Sequence, residues 1–162
     1  MRIRHLVLPL AICAAAAACE NPAIDEDQDP CEPPQATLSQ RGDTVVSSTS
    51  LRYLETVVGT GSVATFCRGA AVRYVGRLQT GAVFDSVPAD TTFRFVVGDP
   101  RLIPGFNEGV LGMKVGGQRR VIIPASLGYG GETRPARPNL GFSGIPANAT
   151  LVFDIKLTEV QQ

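Results

Sequence analysis

From Ser50 to the end of the chain, apolar and polar residues alternate in short runs separated by glycine and proline. The clearest run is Ala149 to Val160, where Leu151, Phe153, Ile155 and Leu157 alternate with Val152, Asp154, Lys156 and Thr158. A period of two puts the first set on one face of a strand and the second set on the other. Ala70 to Leu78 has the same form, with Val72, Tyr74 and Gly76 on one face and Arg73 and Arg77 opposite. Leu51 to Val58, Thr92 to Gly98 and Arg119 to Ile123 also predict strands, the first closed by Gly59-Thr60-Gly61 and the last by Pro124. Gln79-Thr80-Gly81 reads as a turn. Val83-Phe84-Asp85-Ser86 then leads into an irregular stretch around Pro88.

One stretch breaks this rhythm. Leu102 to Arg119 reads as a short helix followed by a glycine turn. Pro104 suits the first helical position, where its missing N–H would have had no partner. Phe106 and Val110 lie four apart and share a face. Gly112 and the Gly116-Gly117 pair end the helix and turn the chain. Only one compact helix is visible, so the strands must pack on its apolar face. Several strands and one short helix predict an antiparallel α+β domain. On pattern alone, Phe106 and Val110 are simply core.

The amino-terminal third is different. Arg2 and Arg4 precede an apolar run from Leu6 to Ala18 that is too short to span a bilayer, so residues 1–18 read as a signal peptide. Ala16-Ala17-Ala18-Cys19 resembles the lipobox of bacterial lipoproteins, which leaves the cysteine as a lipidated first residue; ordinary signal cleavage is the alternative. Residues 19–48 read as a disordered tether. Asn21-Pro22, Asp29-Pro30 and Pro33-Pro34 break regular structure, and Glu20, Asp25, Glu26, Asp27, Asp29 and Glu32 keep the segment solvated. The domain then occupies residues 49–162. The implied location is the cell envelope, in the periplasm, with a lipid anchor holding the protein to a membrane.

Charge and rare residues narrow the chemistry. The formal net charge is zero, but from residue 50 onward 12 Lys and Arg face 8 Asp and Glu. That excess is modest and spread along the chain, so it is no nucleic-acid footprint. His5 is the only histidine and leaves with the signal peptide. Imidazole-dependent catalysis then has no candidate. Cys31 and Cys67 are too few for a zinc cage, and no metal site is expected. In an oxidising compartment these two thiols are candidates for a disulfide. Two free thiols, with Cys67 buried as a small apolar residue, are the alternative.

An ordered set of motifs carries a resemblance. It comprises Val72-Arg73-Tyr74-Val75-Gly76, Gly81 to Phe84-Asp85-Ser86, Phe93-Arg94-Phe95, Ile103-Pro104-Gly105-Phe106, Gly116-Gly117-Gln118-Arg119, Leu127-Gly128-Tyr129-Gly130, Ile145-Pro146 and Ala149 to Asp154. Together they resemble the FKBP-type peptidyl-prolyl isomerases over residues 50 to 162. The resemblance implies a curved antiparallel sheet wrapped around one short helix, with an apolar active-site pocket between them. It assigns Tyr74, Phe84, Asp85, Phe106, Tyr129 and Phe153 to catalysis, and Phe93, Leu102, Ile103 and Ile145 to substrate binding. Phe106 would floor the pocket under the substrate proline. The Ile103 main-chain N–H and the Tyr129 hydroxyl would bond ligand carbonyls. Proline-containing polypeptides are the implied partners, with macrolides of the tacrolimus and rapamycin type as possible ligands and no cofactor. The alternative is a non-catalytic FKBP-like peptide-binding or chaperone module.

The chain departs from the family pattern in three places. Phe106 stands where the family usually has Trp. The loop from Gly130 to Gly144 is longer than in compact members and carries Arg134-Pro135-Ala136-Arg137-Pro138. Val87 to Thr92 lacks the basic residue that often faces the pocket aspartate.

Overall fold

A computed structural model describes Cys31, the backbone of residues 38–41, and residues 44–161. The expected signal peptide and Cys19 lie outside the described residues. Among the described residues there are eight strands: β1 (Leu38–Arg41), β2 (Thr44–Ser47), β3 (Arg52–Val57), β4 (Gly69–Leu78), β5 (Val83–Ser86), β6 (Phe93–Val96), β7 (Gln118–Ile123) and β8 (Leu151–Val160). One helix, α1 (Pro104–Val110), lies between β6 and β7 in sequence. The strands form a single antiparallel sheet in the order β1-β2-β3-β7-β8-β4-β5, with β6 also paired to β4.

The two ten-residue strands β4 and β8 are the spine. Their register sets Val72 opposite Leu157, Tyr74 opposite Ile155 and Gly76 opposite Phe153. The inward set expected from alternation is therefore matched across the pair, and Leu151, Phe153, Ile155 and Leu157 are buried. The other edge of β4 is divided. Gly69 to Val72 pairs with β6, while Val75 to Arg77 pairs with β5. This division brings Phe93 and Phe84 to the same strand from two directions.

Helix α1 lies on β7 at very short range. Gly105 and Gly109, four residues apart, are the contact face. A Cβ at Gly109 would sit 2.9 Å from Val121 Cγ1, and one at Gly105 would collide with Ile123 Cγ2. Phe106 and Val110, on the adjoining face, enter the core at 4% and 0% exposure. Arg119 of β7 secures the end of the helix. Its Nη1 donates to Gly109 O and Leu111 O at 2.9 and 3.0 Å, and its Nη2 donates to Glu55 Oε1 at 2.6 Å. The guanidinium also lies 4.0 Å over the Tyr53 ring.

The sheet begins earlier than the sequence reading places it. Leu38–Arg41 and Thr44–Ser47 fall within the stretch 19–48 taken as tether, yet they form β1 and β2, and Val45 pairs with Tyr53 on the open edge of β3. Four-residue strands contain only two alternations, too few for a period to stand out. Val83–Ser86, which the sequence reading leaves unassigned as the lead into an irregular stretch, is strand β5, and it escapes notice for the same reason. Cys31 and Cys67 are joined in a disulfide, their Cα atoms 5.4 Å apart.

The glycine contact gives a signed prediction. Gly to Ala in an open helix interior gains about 0.8–1.0 kcal/mol. Overpacking a core costs about 1–3 kcal/mol. Val121 is fully buried and cannot retreat. Gly109→Ala is expected to lose stability by about 1 kcal/mol or more in urea unfolding. A gain would show that α1 can lift off β7.

Candidate functional site

Between α1 and the sheet lies a pocket of about 130 Å³. It is lined by Tyr74 of β4, Phe84 and Asp85 of β5, Phe93 of β6, Phe106 of α1, Phe153 of β8, Tyr129, and the segment Arg101-Leu102-Ile103 that enters the helix. Strand register explains the convergence. Phe153 stands opposite Gly76, and Gly76 stands opposite Asp85. A Cβ at Gly76 would lie 2.7 Å from Phe84 Cζ and 3.1 Å from Phe153 Cε1. The missing side chain is what lets those two rings meet edge to face, with centroids 5.5 Å apart.

Phe106 is the centre of the aromatic set. Its ring lies 5.3 Å from Tyr74, 5.3 Å from Phe153 and 5.5 Å from Phe95, all steeply inclined. Edge-to-face pairs of this kind add about 0.5–1.5 kcal/mol each beyond area burial. The Phe106 ring is therefore held from the sides within the pocket lining.

The polar groups are few and mostly committed. Tyr74 Oη donates to Asp85 Oδ2 at 2.8 Å, and Ser86 N–H donates to Asp85 Oδ1 at 3.0 Å. Burial, and then the hydrogen bond to Asp85, push the Tyr74 phenol well above its usual range near 10. At the outer edge of the site, the Asp99 carboxyl is lowered to about 2 by its hydrogen bonds from Arg101. Two donors stand apart. Among the described residues, neither the Ile103 main-chain N–H nor the Tyr129 hydroxyl has a hydrogen-bond partner.

The base missing from Val87 to Thr92 comes from elsewhere. Arg137, in the long loop, places Nη2 3.4 Å from Asp85 Oδ1 and 3.5 Å from Phe84 O. The pair is half-exposed, so its energetic weight is at most about 1 kcal/mol. The loop is fixed by main-chain bonds: Ser143 N–H donates to Val83 O at 2.8 Å, and Arg134 and Ile145 bond reciprocally at 2.8 and 2.9 Å. Arg134 also lies 4.8 Å over the Tyr129 ring. The two loop arginines thus touch three pocket residues, Phe84, Asp85 and Tyr129.

Of the ten site residues assigned by resemblance, nine line the pocket. Ile145 does not. It is 6% exposed and packs in the main hydrophobic cluster, and its main chain bridges to Arg134. Sequence reasoning missed Arg101 and Arg137. Arg101 had a signal in its place beside Leu102. Arg137 had two: a long loop carrying arginines, and an aspartate lacking its usual partner.

With this geometry in hand, comparison with known proteins is specific. Residues 67–158 match the family model described as FKBP-type peptidyl-prolyl cis-trans isomerase. The chain is 45% identical over 104 residues to FK506-binding protein 4 of Neurospora crassa, covering 64% of this chain and 21% of that protein. It is 43% identical to FK506-binding protein 3 of Candida albicans, covering 64% and 22%. The chain thus spans about a fifth of the length of these curated relatives. Among solved structures, it resembles FkpA from Escherichia coli with TM-score 0.62 and 32% identity, covering 75% of this chain and 53% of that one. It resembles AtFKBP13 with TM-score 0.64 and 30% identity, covering 73% and 98%.

The raised Tyr74 phenol has a consequence at high pH. The folded domain keeps that proton after the unfolded chain has lost it near pH 10, so this contribution is full below pH 10 and declines as pH rises further. The fall of stability with pH above 10, measured by urea unfolding, is expected to be shallower in Tyr74→Phe than in the parent. Equal slopes would mean that the phenol ionises alike in both states.

Proposed function

The chain belongs to the FKBP-type peptidyl-prolyl cis-trans isomerase family, and on that premise we propose that its domain exchanges cis and trans X–Pro bonds of exported polypeptides. One observation carries the reading: a small aromatic pocket floored by Phe106, with two uncommitted donors, Ile103 N–H and Tyr129 Oη, at its lining.

The chemistry needs no more than this. Rotation about an X–Pro bond has a barrier of about 18–20 kcal/mol, because the C–N bond has partial double-bond character. Spontaneous exchange takes about 10–100 s at 25 °C. Twisting the bond removes the resonance and its charge separation, so the transition state is less polar than either planar form. A pocket walled by Tyr74, Phe84, Phe93 and Phe153 favours the less polar form. The two donors would hold carbonyls of the client and fix the ring over Phe106. Asp85 is occupied by Tyr74 and Ser86, and orients the wall rather than moving a proton. Nothing in the scheme requires a nucleophile. The same pocket is proposed to accept macrolides of the tacrolimus type.

The location is proposed from the amino-terminal sequence: export by residues 1–18, lipidation at Cys19, and a tether between the anchor and the domain. The Cys31–Cys67 disulfide supports an oxidising compartment. No helix among the described residues is long and apolar enough to cross a membrane.

Two measurements check these readings. On a short proline peptide, kcat/KM is expected to be nearly flat between about pH 6 and 8, unlike the bell of an acid–base pair. Tyr129→Phe loses one hydrogen bond, about 0.5–1.5 kcal/mol, and should retain much of the activity. Folded Phe84→Ala opens the wall and should lose most of it. Peptide binding without turnover would point instead to a non-catalytic module. For the anchor, Cys19→Ser should move the protein from the membrane to the soluble fraction of cells, and continued membrane fractionation would rule out lipidation at that residue.

A further inference from the structure

The positive charge of the domain is spread along the sequence, but the sheet gathers part of it. On the face opposite to the buried Ile155 and Leu157, the register sets Arg73 of β4 across from Lys156 of β8, and Lys156 across from Gln118 of β7. In the next row, Asp154 lies between Val75 and Arg120. Asp154 is already used twice. Arg77 Nη1 donates to its Oδ2 at 2.8 Å, and Arg120 Nε donates to its Oδ1 at 2.6 Å. Among the described residues, no carboxylate is left for Arg73 and Lys156. Arg73 commits only its Nε, to Thr91 O at 3.2 Å, and the Lys156 ammonium has no partner.

Like charges directly opposite one another in a sheet are destabilising. An anion laid between Arg73 and Lys156 would relieve that repulsion. The two residues line a depression of about 590 Å³, together with Thr56, Ser86 and Gln118. Its size is the liquid volume of about twenty waters, so it admits a stretch of chain and not only a single ion.

The chain carries a matching counter-charge. Between Arg4 and Arg41 there is no Lys or Arg, and Asp25, Glu26, Asp27 and Asp29 fall close together. These residues lie outside the described ones, but they run into Cys31, which is bonded to Cys67 just before β4. Arg73 is six residues beyond Cys67, which is about 20 Å along a strand that rises about 3.3 Å per residue. Asp25 is six residues before Cys31, and six residues reach at most about 20–22 Å. The acidic run can therefore come level with Arg73 and Lys156. Being covalently joined, it meets them at an effective concentration on the order of millimolar.

We propose that the acidic run 25–29 docks on the outer face of the sheet, with its carboxylates against Arg73 and Lys156. The pocket over Phe106 lies on the other face, so this contact leaves the pocket open. It also orients the domain, because the amino-terminal segment is held on one side of the sheet and the pocket faces the other. The inference is independent of what the pocket does.

The test is the amide spectrum of the full chain, isotope-labelled and with its disulfide intact. The parent is compared with a chain carrying Asp25→Asn, Glu26→Gln, Asp27→Asn and Asp29→Asn. At about 10 mM salt, where the Debye length is about 30 Å, the four substitutions are expected to shift the amides of Arg73, Asp154 and Lys156 and to leave those of Ile103 and Tyr129 in place. At about 1 M salt, where it is about 3 Å, the two spectra should coincide on the outer face. In the parent, Arg73→Gln or Lys156→Gln should move the amides of residues 25–29 to their high-salt positions. Lys114→Gln removes the same charge at an exposed site off that face and should not. Urea unfolding is the second readout: neutralising the run should lower the midpoint of the parent and leave that of the Lys156→Gln chain unchanged. Outer-face amides that ignore the run overturn the proposal, and so does a response to Lys114→Gln as large as that to Lys156→Gln. Shifts that depend on protein concentration would put a second copy on the face instead. Outer-face shifts seen only with vesicles of an anionic phospholipid would put a membrane there, and either result overturns the proposal.

Discussion

The contact of α1 with β7 sets the rest of the structure. A seven-residue helix cannot hold itself together in water. It has few internal hydrogen bonds, and its last carbonyls lack partners. Gly105 and Gly109 bring its backbone down onto Ile123 and Val121, and Arg119 supplies the missing donors at its end. Arg119 is 4% exposed and is held there by Glu55, two carbonyls and the Tyr53 ring. Once the helix is docked at this height, Phe106 has one place to go. It meets the rings of β4, β6 and β8 from below, and the pocket is whatever space remains above it.

Much of this could be read from the chain. The long strands β4 and β8 have enough alternations to declare their inward faces, and Pro104 marked the start of α1. The short strands β1, β2 and β5 did not show, because four residues hold too few alternations for a period to stand out. The site was legible only through its motifs. Composition and period would have filed Tyr74, Phe84, Phe93 and Phe153 as core, and physically they are core on one side. Arg137 was the hardest to see. Its contact with Asp85 joins residues 52 apart and depends on how a fifteen-residue loop is tied to β5. Ile145 packs in the main hydrophobic cluster, and its main-chain bridge to Arg134 is not visible in the sequence.

The site works by the arrangement of rings and by which donors are already used. Tyr74 and Ser86 satisfy Asp85, Asn107 satisfies the turn before α1, and Thr49 engages Glu108. What is left over is apolar surface and two donors. Such a surface discriminates by shape and by water exclusion.

The Cys31–Cys67 bond also matters for mechanics. Cys67 stands two residues before β4, the strand paired along its whole length with β8. A pull arriving through the amino-terminal segment reaches Cys31 before it reaches β1 and β2. The covalent link passes the load to the central ladder, along the strand, where many hydrogen bonds share it at once. Without the link, the same pull would peel β1 and then β2 from the edge, one bond at a time. A load on the amino-terminal side of Cys31 is thus borne by the central ladder instead of unzipping the sheet from its edge.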